Sequence, residues 1–149
     1  MCEYCGCQQI EAIAILTSEH ERLRNLGHDL GAAARGADVD RARPIATAMR
    51  ELLEPHTYVE ERGLFPLLPQ QFRVQLTDLV AEHGAIDSAL SSVLEPTPRP
   101  HWPEVVAAGL AELFEHILKE QDGVFPAALA MLGPGDWDAV DIVRAAMNH

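Results

Sequence analysis

An eleven-residue pattern occurs twice in this chain, sixty residues apart. One copy is His56-x-x-x-Glu60-x-x-Gly63-Leu64-Phe65-Pro66, and the other is His116-x-x-x-Glu120-x-x-Gly123-Val124-Phe125-Pro126. Among the fixed positions only Leu and Val exchange. A smaller pair accompanies them, Glu19-His20 and Glu82-His83. Each half of the chain therefore carries a His and then a His-x-x-x-Glu, as two helix pairs of one design would. On an α-helix four residues advance about 400°, so the His and Glu of each motif lie about 40° apart on one face. Each histidine also sits in an apolar stripe: His20 between Leu16 and Leu23, His56 between Leu52 and Val59, His83 between Leu79 and Ile86, and His116 three residues past Leu113. Four such helices turn four imidazoles and two carboxylates into one interior.

That arrangement has an electrostatic consequence. Desolvating a carboxylate costs several kcal/mol, and two buried glutamates facing one another repel. Dications between them remove the penalty. Core histidines satisfied by hydrogen bonds to glutamate are the ordinary reading of one such pair, but six residues at matched spacing favour a metal site. Gly63 and Gly123 are expected on the same face, one turn past each Glu, where a missing side chain gives room for close helix approach or a small ligand.

The rest of the chain reads as helices separated by Gly- and Pro-containing breaks: about Gln9 to Arg35, Pro44 to Leu68, Phe72 to Leu94, Trp102 to Leu132, and a short last helix, Trp137 to Met147. Pro44 suits a first helical turn, whereas Pro55 falls inside the second helix and should weaken it. No alternating β-branched run appears. The expected fold is all-α: an antiparallel up-down four-helix bundle over residues 9–149 with a short C-terminal helix, preceded by a tail over residues 1–8.

Charge and composition narrow the partners. With 11 Lys and Arg against 23 Asp and Glu, the formal net charge is −12, which argues against nucleic acid and anionic membrane surfaces. No apolar run approaches the roughly 20 residues of a membrane span. The start, MCEYCGC, has neither the basic nor the apolar region of a signal peptide, so a cytoplasmic location is expected. Cys2, Cys5 and Cys7 are an odd set for a disulfide framework; they read as a frayed tail, as redox-active thiols, or as a metal site completed by a fourth ligand. No nucleophile pair, phosphate-cradling Gly motif or basic groove accompanies them.

The segments SEHERL around His20, PHTYVEERGLFPLL around His56, AEHGAI around His83 and HILKEQDGVFP around His116 resemble the hemerythrin-like, HHE cation-binding family. The resemblance runs from about Gln9 to Leu132, and the Cys-containing start resembles a tail on some small bacterial members. It implies a non-heme di-iron centre with an oxo or hydroxo bridge. His20 and His56 would ligate one iron, His83 and His116 the other, and Glu60 and Glu120 would bridge them. The same nitrogen and oxygen donors also suit zinc or manganese. The oxygen-carrying hemerythrins have a further His four residues after the third-helix His; here that position is Asp87, a candidate sixth ligand or supporting group.

Three functions are compatible with this pattern. The first is a binding module for dioxygen, nitric oxide or another small oxidant, for sensing or buffering. The second is an enzyme that decomposes hydrogen peroxide. The third is iron handling or iron-responsive regulation, which a His-rich rather than carboxylate-rich donor set makes less attractive as storage.

Overall fold

The computed structural model describes residues 10–147; the segment with Cys2, Cys5 and Cys7 lies outside the described residues. Four long helices follow one another: α1 (Glu11–Arg35), α2 (Val39–Val59), α3 (Arg73–Leu94) and α4 (Trp102–Lys119). Two shorter ones complete the chain, α5 (Phe125–Met131) and α6 (Pro134–Met147). Among the described residues there is no strand, and no helix is long and apolar enough to cross a membrane.

The long helices pack in a ring, α1 on α2, α2 on α3, α3 on α4 and α4 on α1. Their alternating direction shows in the core, which is divided into two apolar clusters. Along α1 the chain passes from Leu16 in one cluster to Leu23 in the other, and along α2 it returns from Leu53 to Val59. Then α3 goes out from Leu79 to Ile86, and α4 comes back from Leu113 towards Val124. His20, His56, His83 and His116 each fall at the crossing, so a polar layer separates the two halves of the core. At Gly109 of α4 an added Cβ would lie 2.3 Å from the Ala89 Cβ of α3, so these helices touch where that residue has no side chain.

The last helix begins at Pro134 rather than Trp137, and two further boundaries need correction. First, α2 begins at Val39, not Pro44, because the Asp38 carboxylate accepts from the Arg41 N–H at 3.1 Å and caps the helix. Pro44 and Pro55 both lie inside α2, which runs unbroken through them. Second, the helical period changes after each His-x-x-x-Glu motif. Glu60–Leu64 and Glu120–Val124 are π-helical turns. In them the N–H of Phe65 reaches back to the Glu60 carbonyl, and that of Phe125 to the Glu120 carbonyl, five residues away. The next residue in each copy is proline, which has no N–H to donate and crowds the carbonyl four residues back. A wider turn relieves that conflict. The changed period also redirects Gly63: an added Cβ there would meet Val143 and Val140 of α6 rather than the interior cluster.

Candidate metal centre

Glu60 and Glu120 are fully buried, and the four histidines of the polar layer are 1–8% exposed. Nitrogen and oxygen atoms of His20, His56, Glu60 and Glu120 all lie within 4.8 Å of one another, as do those of Glu60, His83, His116 and Glu120. The two groups share both carboxylates. One histidine comes from each long helix, and each glutamate follows its own helix's His by four residues. The six residues singled out by the repeat are thus together in one place.

Each histidine has its outer nitrogen occupied. His56 Nδ1 meets Glu19 Oε1 at 2.9 Å, His116 Nδ1 meets Glu82 Oε1 at 2.8 Å, and His83 Nδ1 meets Glu61 Oε2 at 2.6 Å. His20 Nδ1 meets Gln121 Oε1 at 2.9 Å. A carboxylate or carbonyl oxygen only accepts, so these contacts put the imidazole proton on Nδ1. The Nε2 atoms then face inwards, each able to take a second proton or a cation. His83 Nε2 is 3.0 Å from His116 Nε2, and His20 Nε2 is 2.9 Å from Glu120 Oε1. His56 Nε2 and His83 Nε2 lie 3.4 and 3.2 Å from Glu60 Oε1, and His116 Nε2 lies 3.3 Å from Glu120 Oε2. Both oxygens of Glu60 and one of Glu120 are buried with no hydrogen-bond partner. Such a collection of lone pairs repels itself unless a cation or protons lie among them. A histidine with Nδ1–H on a carboxylate and Nε2 inwards is also the usual bearing of a metal-binding imidazole.

The helices share out these supports by a pseudo-twofold rule. Glu19, just before His20 on α1, holds His56 of α2; Glu82, just before His83 on α3, holds His116 of α4. Each π turn serves the next helix around the ring. From the first, Glu61 holds His83 and Phe65 stacks on its ring, centroids 6.3 Å apart. From the second, Gln121 holds His20 and Phe125 stacks on it at 5.3 Å. Lys119 adds a 2.7 Å bond to Glu82, and Arg144 of α6 binds Glu19. The signal for the Glu and Gln supports was in the sequence as residues adjacent to each candidate ligand, repeated in both halves.

The protons respond to these neighbours. Burial by itself would lower His56, but the charge of Glu60 beside it and the hydrogen bond to Glu19 raise it to about 10. His83 and His116 are likewise raised, each against the pull of burial, chiefly by Glu60 and Glu120 respectively. Glu60 is held well below the usual carboxylate range: burial would raise it, and His56 and His83 overcome that. Glu19 and Glu82, which burial would also raise, are kept low by His56 with Arg144 and by Lys119 with His116.

Asp87 is not brought into this cluster. It is exposed, and its carboxylate pairs with Arg50 at 3.1 Å. That pair edges a surface pocket of about 330 Å³, also lined by Leu53, Thr57 and His83. The same three residues border an inner cavity of about 10 Å³ against the cluster, roughly room for one water or a diatomic molecule. A larger groove, about 580 Å³ between α1 and α4 near Gly27 and Phe114, contains none of the cluster.

The family model of the hemerythrin HHE cation binding domain matches residues 11–128. No curated protein and no solved structure matches the chain.

Proposed function

The chain belongs to the hemerythrin HHE cation-binding family, and from that footing we propose that it holds two iron ions between its helices to bind dioxygen, nitric oxide or a similar small oxidant, for sensing or buffering. The observation that carries the reading is the inward convergence of four Nε2 atoms on two fully buried glutamates, three of whose oxygens have no other partner. In this reading His20 and His56 hold one ion, His83 and His116 hold the other, and Glu60 and Glu120 lie between. Iron at such a centre supplies affinity for small diatomic ligands and a change of oxidation state. Imidazole and carboxylate donors would also accept zinc or manganese.

The protein's own part is to orient and to exclude. Glu19, Glu61, Glu82 and Gln121 fix the tilt of the four rings and keep the proton on Nδ1. Leu16, Leu23, Leu79 and Leu113, each at most 1% exposed, keep bulk water from the layer on both sides. Leu53, Thr57 and His83 line both the inner cavity and the surface pocket, which makes that pocket the way in on this reading. Turnover of peroxide would benefit from a group free to move a proton at that cavity. Its lining hydroxyl, Thr57, instead donates to the Leu53 carbonyl at 2.9 Å, which favours binding over catalysis. The net charge of −12 argues against nucleic acid or an anionic membrane surface as a partner.

The test is spectroscopic. The protein reconstituted with ferrous iron without oxygen and then exposed to air should gain a visible absorption band that shifts on adding azide. A spectrum no different from that of free iron in the same buffer would sink the reading.

A further inference from the structure

The last helix lies beyond the residues that match the family, yet one of its side chains reaches the cluster. Arg144 of α6 donates through Nη1 and Nη2 to Glu19 Oε2 and Oε1, both at 2.9 Å. Glu19 Oε1 in turn accepts from His56 Nδ1 at 2.9 Å. The arginine and glutamate side chains are 17% and 12% exposed, so the relay is largely shielded from water. The rest of α6 docks beside it. Trp137 and Val140 are buried in the core, and Val140 and Val143 pack over Gly63 in the π turn that starts at Glu60. The counterpart relay on the other side is built differently. Glu82, which holds His116, is met by Lys119 from the end of α4, through one contact on an exposed lysine. The pseudo-twofold arrangement is therefore broken at α6.

We propose that Arg144 is a positioning residue: α6 sets the bearing of His56 through Glu19 and so governs how firmly the cation at His20 and His56 is held. The inference rests on the two-ion reading above. A guanidinium fork binding both carboxylate oxygens fixes the plane of that carboxylate, whereas an ammonium fixes only a point. With its plane fixed, Glu19 holds the His56 ring at one tilt; without the fork it can rotate and take the ring with it. Hydrogen-bond partners of metal-binding histidines are commonly worth about 10- to 100-fold in metal affinity. Arg144 acts one step further out, so its loss belongs near the lower end. A displacement of α6 would then loosen one ion and leave the other.

The test uses the full chain loaded with ferrous iron without oxygen and challenged with excess ferrous chelator, release being followed in time. Arg144→Ala should release one of two ions about tenfold faster and the other at the wild-type rate. The melting temperature of the metal-free protein should stay close to wild type. Arg144→Lys should recover part of the loss, and in a Glu19→Gln background Arg144→Ala should add nothing, as expected of residues acting in series. Glu19→Gln alone should also loosen one ion, which keeps the test open if Arg144→Ala does not fold. Wild-type release of both ions in Arg144→Ala, or in Glu19→Gln when that variant stands in, would overturn the inference. So would equal loosening of both together with a lower metal-free melting temperature, the mark of a merely structural role. A wild-type chain that takes up no iron removes the two-ion reading and this inference with it; a wild-type chain that releases two ions no more slowly than Arg144→Ala removes the inference alone.

Discussion

Stripping the metal should make stability fall with rising pH, because protons take over the role of cation at the cluster. His56 lies between Glu19 and Glu60, almost fully buried, and its pKa rises from 6.5 to about 10. A group whose folded-state pKa is raised stabilises fully below its unfolded value, and that contribution is lost as pH climbs through the folded value. The window is thus pH 6.5 to about 10. One proton gives a slope of about 1.4 kcal/mol per pH unit, which over that whole window would total on the order of 5 kcal/mol. That is a large share of the roughly 5–15 kcal/mol that holds a domain of this size together. His83 and His116, also raised, act in the same direction. Glu60 is depressed, so its contribution is present above its ordinary 4.5 and fades only as pH falls below it, outside this window. Urea unfolding followed by circular dichroism, on stripped and iron-loaded protein from about pH 6.5 to 9.5, measures the effect. The stripped protein should lose several kcal/mol across that range. The loaded protein should not follow, because there Nε2 would carry iron instead of a proton. A flat profile for the stripped protein would refute the reasoning that His56 is held protonated between two carboxylates.

Other perturbations separate the site from its surroundings. Asp87→Ala should leave iron content unchanged and alter stability by at most about 1 kcal/mol, since Asp87 forms an exposed ion pair with Arg50; loss of iron on elemental analysis would return Asp87 to the centre. Gly109→Ala should destabilise by about 1–2 kcal/mol in urea, the clash with Ala89 outweighing the roughly 1 kcal/mol that alanine gains over glycine in a helix; an unchanged midpoint would mean that α3 and α4 can part there. Thr57→Leu should slow azide binding to the iron-loaded protein, and Thr57→Gly should hasten it, with iron content constant; equal stopped-flow rates in both variants would place the access route elsewhere.

The bundle was legible because apolar residues recur at helical spacing around every candidate ligand, as at Leu16, His20 and Leu23. The convergence of His20, His56, Glu60, His83, His116 and Glu120 was legible for the same reason: a buried carboxylate in an apolar stripe needs a partner, and the repeat supplies one from each helix. What a constant 3.6-residue period could not reveal was the π turn after each glutamate. The clue was the repeated Phe-Pro, where proline removes a donor and the helix widens in response. That widening is why Gly63 faces α6 and not the interior. The start of α2 was displaced because Pro44 fits a first turn as well as it fits its observed place, while the deciding contact was the Asp38 cap. Arg144 had no local signal at all; it meets Glu19 from 125 residues away, and only the docking of α6 brings them together.

Iron content is the most direct measure of the central claim that two cations belong among these four histidines and two glutamates. After reconstitution with ferrous iron without oxygen, and removal of loosely bound metal, elemental analysis should find two irons per wild-type chain. The same treatment of a Glu60→Ala, His116→Ala double variant, shown by circular dichroism to stay helical, should find little or none. A wild-type chain without iron, or a double variant that keeps both, would contradict the account.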